Sequence, residues 1–353
     1  MDTDAFLDHL FDSALGAFDT LSVYIGDQLG LYEALRQHGA LTADGLAKHT
    51  GMHPRYAREW LEQQSVAGIL TVEDAAVHAD DRRFVLPAEH AAVLADRDSL
   101  TFFAPFARII GAAAIQLPAL LEAYRTGGGV GWSEYGEAMR TGQADANRPL
   151  FLHALGTDWL PSLPDVHRRL SDGGRVADVG CGDGWSSVGI ALAYPEATVD
   201  GFDLDEASVR AATGHAASYG LADRVRFQAV DAGTVAQGDY DLVTAFECVH
   251  DLADPVGVLA GMRRLVKPGG TVLVMDERVP EEFTGPGDPV EQLMYGMSLL
   301  ICLPDGMSHD GSRATGTVMR PATLRGYARE AGFSDVEVLP IENDLFRFDR
   351  LVA

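Results

Sequence analysis

Two patterns of hydrophobic and polar positions divide the chain. In the first hundred residues apolar side chains recur at helical spacing, and short alternating segments follow at 69–72 and 83–86. Thr42 is placed to cap a helix that ends at Gly51, and a second helix runs through Trp60 to Gly68. Helix, turn, helix and two short strands predict a winged helix.

From about residue 175, short apolar, β-branched segments alternate with helical ones. The predicted strands are 176–179, 198–202, 225–227, 241–246, 271–275, 336–339 and 346–352, and the predicted helices are 186–194, 206–219, 255–266 and 321–331. Such alternation predicts a parallel sheet covered on both faces. The last two strands have no helix between them, so we expect an antiparallel hairpin there. The predicted fold is α/β, with a doubly wound, seven-stranded, mostly parallel sheet and an otherwise all-α winged-helix domain before it.

The segment between these two parts is apolar and helical at first, and then carries glycines at 127–129 and an aromatic tract that includes Tyr135. Glycine runs give a flexible backbone, and neighbouring aromatic side chains can close over a ligand as a lid. A plain interdomain linker fits the same pattern. The predicted domains are therefore a winged-helix domain at 1–100, a connector and lid at 101–150, and the α/β domain at 151–353.

The charge balance narrows the range of partners. The chain has 27 Lys and Arg against 52 Asp and Glu, a net charge of −25. Such a surface repels phosphate backbones and anionic lipid, so we expect neither a nucleic-acid nor a membrane partner. The first hundred residues hold 17 acidic and 7 basic side chains, and the second helix of the motif offers only Arg55 and Arg58. A helix that reads DNA needs more cationic neighbours, so the winged helix is predicted to form a dimer contact instead.

The three cysteines, Cys181, Cys248 and Cys302, are far apart and form no CxxC pair or Cys/His spacing typical of zinc. This pattern predicts neither disulfides nor a metal site, and it fits a reducing cytoplasm. The N-terminal residues do not resemble a signal peptide. The apolar stretch 101–121 is interrupted by prolines and by Arg108, which favours a buried helix pair over a membrane span.

The most informative motif is a glycine-rich turn directly after the first strand of the α/β part. Gly180, Gly182 and Gly184 are spaced GxGxG, which lets the backbone approach a ligand where a Cβ would collide. Asp183 stands where a pyrophosphate would need bare amides and a helix N-terminus. A carboxylate there repels phosphate but suits a ligand that carries an ammonium and a sulfonium group. The turn therefore points away from NAD and toward S-adenosylmethionine.

Acidic residues follow three successive strands of this part. Asp203, after the second strand, is placed to accept two ribose hydroxyls, whereas Asp205 is a candidate helix cap. Asp231, after the third strand, can accept an adenine amino group. With Asp178 near the end of the first strand, three acidic residues lie at the carboxyl ends of successive strands. This edge is where α/β sheets bind ligands, so three such residues in order favour a nucleoside ligand.

At this point the chain resembles the class I S-adenosylmethionine-dependent methyltransferases. The matching segments, all within 175–353, are VADVGCGDG, GFDLD, VDA, YDLVTAFECVHDLADP and LVKPGGTVLVMDE. The winged helix and apolar helices before them resemble the O-methyltransferase subgroup, in which that domain makes the dimer. The resemblance implies S-adenosylmethionine as methyl donor, S-adenosylhomocysteine as product, a small-molecule acceptor and a homodimer.

The resemblance also implies the positions that hold the cofactor. Asp178, Gly180 and Gly182 correspond to the methionine end, and Asp203 to the ribose. Leu204 would pack on the adenine, Asp231 and Ala232 would meet its edge, and Phe246 and Glu247 would lie beside the methionyl group. Tyr135, in the candidate lid, is a further cofactor-binding candidate.

Methyl transfer to a hydroxyl requires a group that removes a proton, and His250 matches the catalytic base of phenolic O-methyltransferases. An ordinary imidazole pKa near 6.5 predicts a neutral ring at cellular pH. The carboxylate that orients this histidine in the family corresponds to Asp276. A second family glutamate falls near 318–319, where this chain has no acid. A helix-start histidine without a chemical duty fits the same pattern.

The insertion at 281–320 is rich in methionine and other apolar residues and corresponds to the roof of the substrate site in the family. Methionine adapts to irregular apolar ligands, so we expect a bulky apolar or aromatic acceptor, although core packing explains the same stripe. His309 and Asp310 are second-choice acid/base candidates. Two other functions fit the motifs: a metabolite-sensing DNA regulator, and an enzyme that uses the cofactor without transferring its methyl group.

Overall fold

The computed structural model describes residues 1–235 and 237–353. The helices, numbered along the chain, are α1 Thr3–Gln28, α2 Leu31–His38, α3 Ala43–Thr50, α4 Pro54–Val66, α5 Ala88–Leu94, α6 Ala104–Ile115, α7 Leu117–Thr126, α8 Gly136–His153, α9 Pro164–Ser171, α10 Trp185–Ala193, α11 Glu206–Ser218, α12 Pro255–Leu265, α13 Pro289–Met297, α14 Leu303–Met307 and α15 Pro321–Glu330. Four shorter helical turns are Trp132–Tyr135, Leu155–Trp159, Ala232–Thr234 and Ser298–Cys302.

The N-terminal part is a winged helix, as the sequence predicts. Thr42 caps α3 by accepting a hydrogen bond from the Gly45 N–H at 3.1 Å, and the helix ends at Gly51 in a left-handed conformation. The strands β1 Thr71–Val72 and β2 Phe84–Val85 pair antiparallel and form the wing. Apolar faces of α2, α3 and α4 enclose one core, in which the rings of Tyr32 and Trp60 meet edge to face.

The C-terminal part contains a seven-stranded sheet with the order β5-β4-β3-β6-β7-β9-β8. Its strands are β3 Arg175–Val179, β4 Thr198–Asp203, β5 Val225–Ala229, β6 Tyr240–Phe246, β7 Val266–Glu277, β8 Asp335–Val338 and β9 Phe346–Val352. The first five are parallel, and β9 runs antiparallel to both β7 and β8. The predicted doubly wound sheet with a closing antiparallel pair is therefore confirmed. Strand β7 begins earlier than predicted and pairs with β6 across an irregularity near Tyr240.

The direction of chain progression reverses beside β3. From β3 the chain moves outward through β4 to β5, and then returns to place β6 on the other side of β3. The loops that follow β3 and β6 leave in opposite directions, which opens a crevice at the carboxyl edge of the sheet. The strand register aligns the ends of β3, β4 and β6 at this edge, because Val179 pairs with both Phe202 and Ala245.

The division of the chain into compact units differs in detail from the predicted segments. One unit comprises 1–114 and 141–149, and the other comprises 115–140 and 150–353. The predicted connector is thus shared between the units, and its boundaries at 100 and 150 stay a prediction. Within the described residues, no single helix is long and apolar enough to cross a membrane, while the bent pair α6–α7 passes by length and composition only.

We predict that Leu259→Ala destabilises the α/β domain by about 2–5 kcal/mol, because Leu259 on α12 is fully buried against the sheet. Leu204→Ala is the matched control, since Leu204 is 68% exposed and its truncation should change the free energy of unfolding by about 0.5 kcal/mol or less. Urea unfolding of both variants measures the difference. Equal destabilisation by the two substitutions would contradict this packing.

Candidate active site

The glycine turn after β3 has the backbone shape that its sequence predicts. Gly180, Gly182 and Gly184 all lie in the left-handed region, at φ values of 66°, 50° and 80°. A Cβ on Gly180 would lie 2.6 Å from the Cys248 sulfur, so this glycine lets the turn pack against the segment after β6. A Cβ on Gly182 would meet nothing within 4 Å. The turn is therefore closed on the side of Cys248 and open at Gly182.

Asp178 lies at the base of this turn and is buried. Its carboxylate accepts hydrogen bonds from the hydroxyls of Ser186 and Ser187 at 2.6 Å and of Thr244 at 2.8 Å. Burial raises the pKa of Asp178, and the three hydroxyls oppose that shift. This geometry favours a role in holding the turn between α10 and β6. Direct contact of Asp178 with a ligand stays a prediction.

Asp203 ends β4 beside the glycine turn. One carboxylate oxygen accepts from the Gly182 N–H at 2.8 Å and the other from the Asp205 N–H at 2.9 Å. Asp205 caps α11 by accepting from the Ala207 and Ser208 N–H groups, which is the alternative considered for it from the sequence. Leu204, between the two acids, is 68% exposed. An acid fixed by two backbone amides thus stands next to an uncovered apolar side chain.

The remaining candidates on this edge follow β5 and β6. Asp231 accepts from the Gly233 N–H at 2.7 Å and caps the short turn that contains the buried Ala232. Phe246 is buried and stacks on Phe151 with ring centroids 5.7 Å apart. Glu247 adopts a left-handed conformation, with φ at 52°. Such backbone strain in a non-glycine residue is concentrated at functional sites.

His250 lies beyond β6 and meets the end of the neighbouring strand β7. Its Nδ1 is 2.8 Å from Asp276 Oδ1 and 2.9 Å from Glu277 Oε2. Its Nε2 is 3.3 Å from Asp251 Oδ1. His250 and Asp276 are both buried. The predicted pair of histidine and orienting carboxylate is thus brought together in space, and its catalytic role stays a prediction.

The charges in this cluster depend on one another. Burial disfavours the imidazolium, but Asp251, Glu277 and Asp276 outweigh it and raise the pKa of His250 well above its usual value. Burial likewise opposes the Asp276 carboxylate, yet the histidine holds the pKa of Asp276 at about 2. Burial and Asp276 raise the pKa of Glu277 well above its usual value. These neighbours favour the imidazolium form of His250 more than the ordinary imidazole pKa expected from sequence does.

Glu277 is a residue of the site that sequence reasoning missed. The second glutamate of the family corresponds to residues 318–319 of this chain. Met319 occupies this position here and is fully buried in the core. The second carboxyl group beside His250 comes instead from Glu277, the neighbour of Asp276. Successive side chains along a strand point to opposite faces of the sheet, so two adjacent acids are not expected to contact the same histidine. Glu277 reaches the ring because it is the last residue of β7.

A second missed residue is Arg140, near the start of α8. Its Nε lies 3.8 Å from a carboxylate oxygen of Asp183, inside the glycine turn. Both side chains are largely buried. An acid of the glycine turn and a cation of α8 thus lie next to each other, and no sequence motif marks the arginine.

The glycine run and the aromatic tract pack against the methionine-rich insertion. The Val130 N–H donates to the Pro304 carbonyl at 3.0 Å, and the Trp132 N–H donates to Asp305 at 2.7 Å. The Tyr135 hydroxyl donates to the Leu300 carbonyl at 2.7 Å. The tract is thus bound to the insertion by main-chain and side-chain hydrogen bonds. Contact of Tyr135 with a cofactor stays a prediction.

The residues present fit S-adenosylmethionine. The open side of Gly182 leaves room for a ligand, while the Asp203 carboxylate and the exposed Leu204 offer a hydroxyl acceptor and an apolar surface. Asp183 and Arg140 offer opposite charges to an ammonium and a carboxylate. A dinucleotide would instead place its pyrophosphate against Asp183.

Comparison with known proteins leads to the same class. Residues 170–303 match a methyltransferase domain family, and residues 17–96 match the Rv2258c-like winged HTH domain. The ubiquinone biosynthesis O-methyltransferase of Ralstonia nicotianae is 31% identical over 195 residues, which are 54% of this chain and 74% of that protein. Its counterpart in Pseudomonas aeruginosa strain LESB58 is 32% identical over 192 residues, or 53% of this chain and 74% of that protein. The chain belongs to the S-adenosylmethionine-dependent methyltransferases.

Solved structures share the fold of this methyltransferase over the whole chain. Mitomycin 7-O-methyltransferase is similar with a TM-score of 0.68 and 23% identity, covering 99% of this chain and 98% of that one. Human N-acetylserotonin methyltransferase in complex with S-adenosylmethionine gives a TM-score of 0.74 and 19% identity, with 100% and 98% coverage. The family matches and the relatives of about 30% identity make the chain an enzyme that uses S-adenosylmethionine, with a winged-helix domain before its methyltransferase domain, and the solved structures share its fold.

We predict that Asp203→Ala weakens binding of S-adenosylmethionine and S-adenosylhomocysteine by about 1–3 kcal/mol, because charge-assisted hydrogen bonds to the ribose are lost. Asp205→Ala is the control, since it removes the cap of α11 but leaves the Asp203 carboxylate in place. Isothermal titration calorimetry measures both variants. Unchanged cofactor affinity in Asp203→Ala would overturn the ribose assignment.

Proposed function

We propose that the enzyme transfers a methyl group from S-adenosylmethionine to a hydroxyl oxygen of a small, mainly apolar or aromatic molecule, with His250 as the general base. When bound, the cofactor supplies an electrophilic methyl group on a sulfonium sulfur, whose positive charge also favours the neutral form of a nearby imidazole. Residues after β3, β4, β5 and β6 would hold it, and these are Gly180, Gly182, Asp203, Leu204, Asp231, Ala232, Phe246 and Glu247. Asp178 and Asp276 would act as positioning residues.

The observation that carries this proposal is the orientation of His250. Nδ1 is bound to Asp276 at 2.8 Å, so Nε2 is the ring nitrogen that can accept a proton from a substrate. Nε2 lies on the side of the ring away from Asp276. The segment Cys248–His250 packs directly on the glycine turn through Gly180. A base fixed by a buried acid thus lies close to the candidate cofactor site. General bases of this kind contribute about 10²–10⁴ in rate.

The acceptor class is inferred from the insertion. Met294, Ile301 and Cys302 are buried, and Tyr135 binds the same segment through its hydroxyl. An apolar segment of this kind would suit a flat or bulky apolar molecule that presents a single polar group to His250. The two ubiquinone biosynthesis enzymes and the mitomycin enzyme named above are O-methyltransferases by name, which supports oxygen as the acceptor atom.

We predict that His250→Ala lowers turnover by about 10²–10⁴ while cofactor affinity stays nearly intact. A radiolabelled-methyl assay with a panel of phenols of graded acidity is the measurement. Acceptors acidic enough to be ionised already should lose much less rate, because they need no base, and a purely structural defect would slow all acceptors alike.

His78→Ala is the control for this prediction, since His78 is an exposed histidine of the winged-helix part and its removal should leave the rate unchanged. An unchanged rate in His250→Ala, or an equal loss for weakly and strongly acidic acceptors, would reject the role of general base. Cofactor binding without methyl transfer to any acceptor would favour the non-transferring alternative.

The partner proposed for the N-terminal domain is a second copy of the chain. The helix α1 carries an apolar stripe that is exposed, formed by Phe6, Leu7, Leu10, Phe11, Leu15, Phe18, Leu21 and Ile25. A contiguous surface of this kind supports an interface. The cations of α4 are already paired, with Arg55 bound to Glu59 and Arg58 bound to Asp80. This pairing favours dimerisation over DNA binding, and the three free cysteines support a cytoplasmic location.

We predict that Phe11→Asp/Phe18→Asp converts the dimer to a monomer, because two charges would enter the apolar stripe of α1. Ala5→Asp/Gly16→Asp adds the same charge at two exposed positions on the helix face opposite the stripe and should leave the dimer intact. Sedimentation equilibrium measures the mass of both variants. A monomeric parent protein, or a dimer that survives the phenylalanine changes, would rule out this interface.

A further inference from the structure

A second set of groups surrounds His250 on the side away from Asp276. The Nε2 atom faces Asp251 Oδ1 at 3.3 Å, and the Cys302 sulfur completes a cluster whose three ligand atoms all lie within 4.8 Å of one another. His250 and Cys302 are buried, while Asp251 is partly exposed. The Asp251 Oδ1 atom that faces His250 is itself buried, so the three ligand atoms of the cluster lie together inside the protein.

The three groups are chemically suited to one class of cation. Imidazole nitrogen, thiolate sulfur and carboxylate oxygen are the three ligand types that Zn²⁺ takes in proteins. Mg²⁺ and Ca²⁺ prefer oxygen ligands and do not select a cysteine. Three protein ligands with an open fourth position are also the pattern of zinc sites that exchange a ligand.

The opposite nitrogen of the ring provides an independent observation. Metal-binding histidines almost always donate their other N–H to a carboxylate, a backbone carbonyl or a water, which fixes the tautomer and orients the ring. Here Nδ1 is held by Asp276 at 2.8 Å and lies 2.9 Å from Glu277. The arrangement of carboxylate, histidine and cation site is thus already built into the buried ends of β6 and β7.

Sequence spacing does not reveal this cluster. His250 and Asp251 follow β6, whereas Cys302 ends the helical turn Ser298–Cys302 in the insertion. The turn places the buried sulfur beside the histidine only after the insertion has folded onto the sheet domain. The sequence expectation that this chain has no metal site considered only closely spaced ligands.

We propose that His250 Nε2, Cys302 Sγ and Asp251 form an inhibitory Zn²⁺ site, in which the ion occupies the lone pair that would otherwise accept the substrate proton. On binding, a Zn–S bond forms as the Cys302 S–H bond breaks, and that proton passes to solvent. Any proton on Nε2 leaves in the same way, so the step involves no change of oxidation state. Metal occupation and proton abstraction exclude each other, and this consequence rests on the proposed function of His250.

The test uses the full-length chain stripped of metal with a chelator and titrated with Zn²⁺ alone against a chromophoric competitor. We expect one Zn²⁺ ion per chain. The affinity for Zn²⁺ should be at least about 10-fold weaker in Cys302→Ser, which removes a ligand. It should be about 10–100-fold weaker in Asp276→Asn, which changes only the carboxylate that holds the opposite nitrogen of His250. Cys181→Ser is the matched control, because Cys181 is a buried cysteine outside the cluster, and it should keep the parent affinity. Mg²⁺ should not compete.

Cobalt substitution and inhibition provide two further readouts. Co²⁺ bound at the cluster should give a thiolate-to-metal absorption band that Cys302→Ser lacks. Zn²⁺ should block methyl transfer in the parent protein, a chelator should restore it, and Cys302→Ser should resist the block. No retained Zn²⁺, affinity that is unaffected by Cys302→Ser, or the absence of the cobalt band would overturn the proposal. The binding measurements need neither cofactor nor acceptor, so their failure is distinct from a failure of the proposed methyl transfer.

Discussion

The buried carboxylate of Asp178 joins the three elements on which the active-site crevice depends. It belongs to β3, and its hydrogen-bond donors come from the first turn of α10 and from Thr244 of β6. A buried carboxylate without such donors would be strongly destabilising, so the three hydroxyls and the acid require one another. Together they fix the glycine turn against the segment that carries His250. The contact of Gly180 with Cys248 then leaves no space for a side chain at that point.

Much of the fold follows from local chemistry that can be read along the sequence. The predicted strands of the sheet are found within a few residues of their places because parallel strands buried on both faces are short, apolar and separated by helices. The caps at Thr42 and Asp205 are hydrogen bonds within four residues, so they depend only on nearby sequence. The topology then brings Asp203, Glu247 and His250 to one edge, since carboxyl ends of parallel strands lie side by side.

The parts of the site that sequence reasoning missed depend on contacts between distant segments. Glu277 reaches His250 only because the strand ends there, against the alternation that separates adjacent side chains. Arg140 lies beside Asp183 because of the position of α8, and no local sequence pattern determines that position. Cys302 reaches His250 through the insertion. The hydrogen bonds of the Asp178 side chain likewise depend on three hydroxyls from two other elements.

The acidity of the chain has a specific consequence at His250. Three carboxyl groups make the imidazole a stronger base, but they also keep it protonated for more of the time. A general base works best when its pKa lies near the working pH, so an excess of neighbouring acid is costly unless another cation offsets it. The cofactor of this family is itself cationic at sulfur, and its positive charge acts against the imidazolium. The acids around His250 are therefore consistent with a base that becomes neutral mainly when the donor is in place. The same electronegative surroundings, in the absence of the donor, favour any other cation that can coordinate Nε2.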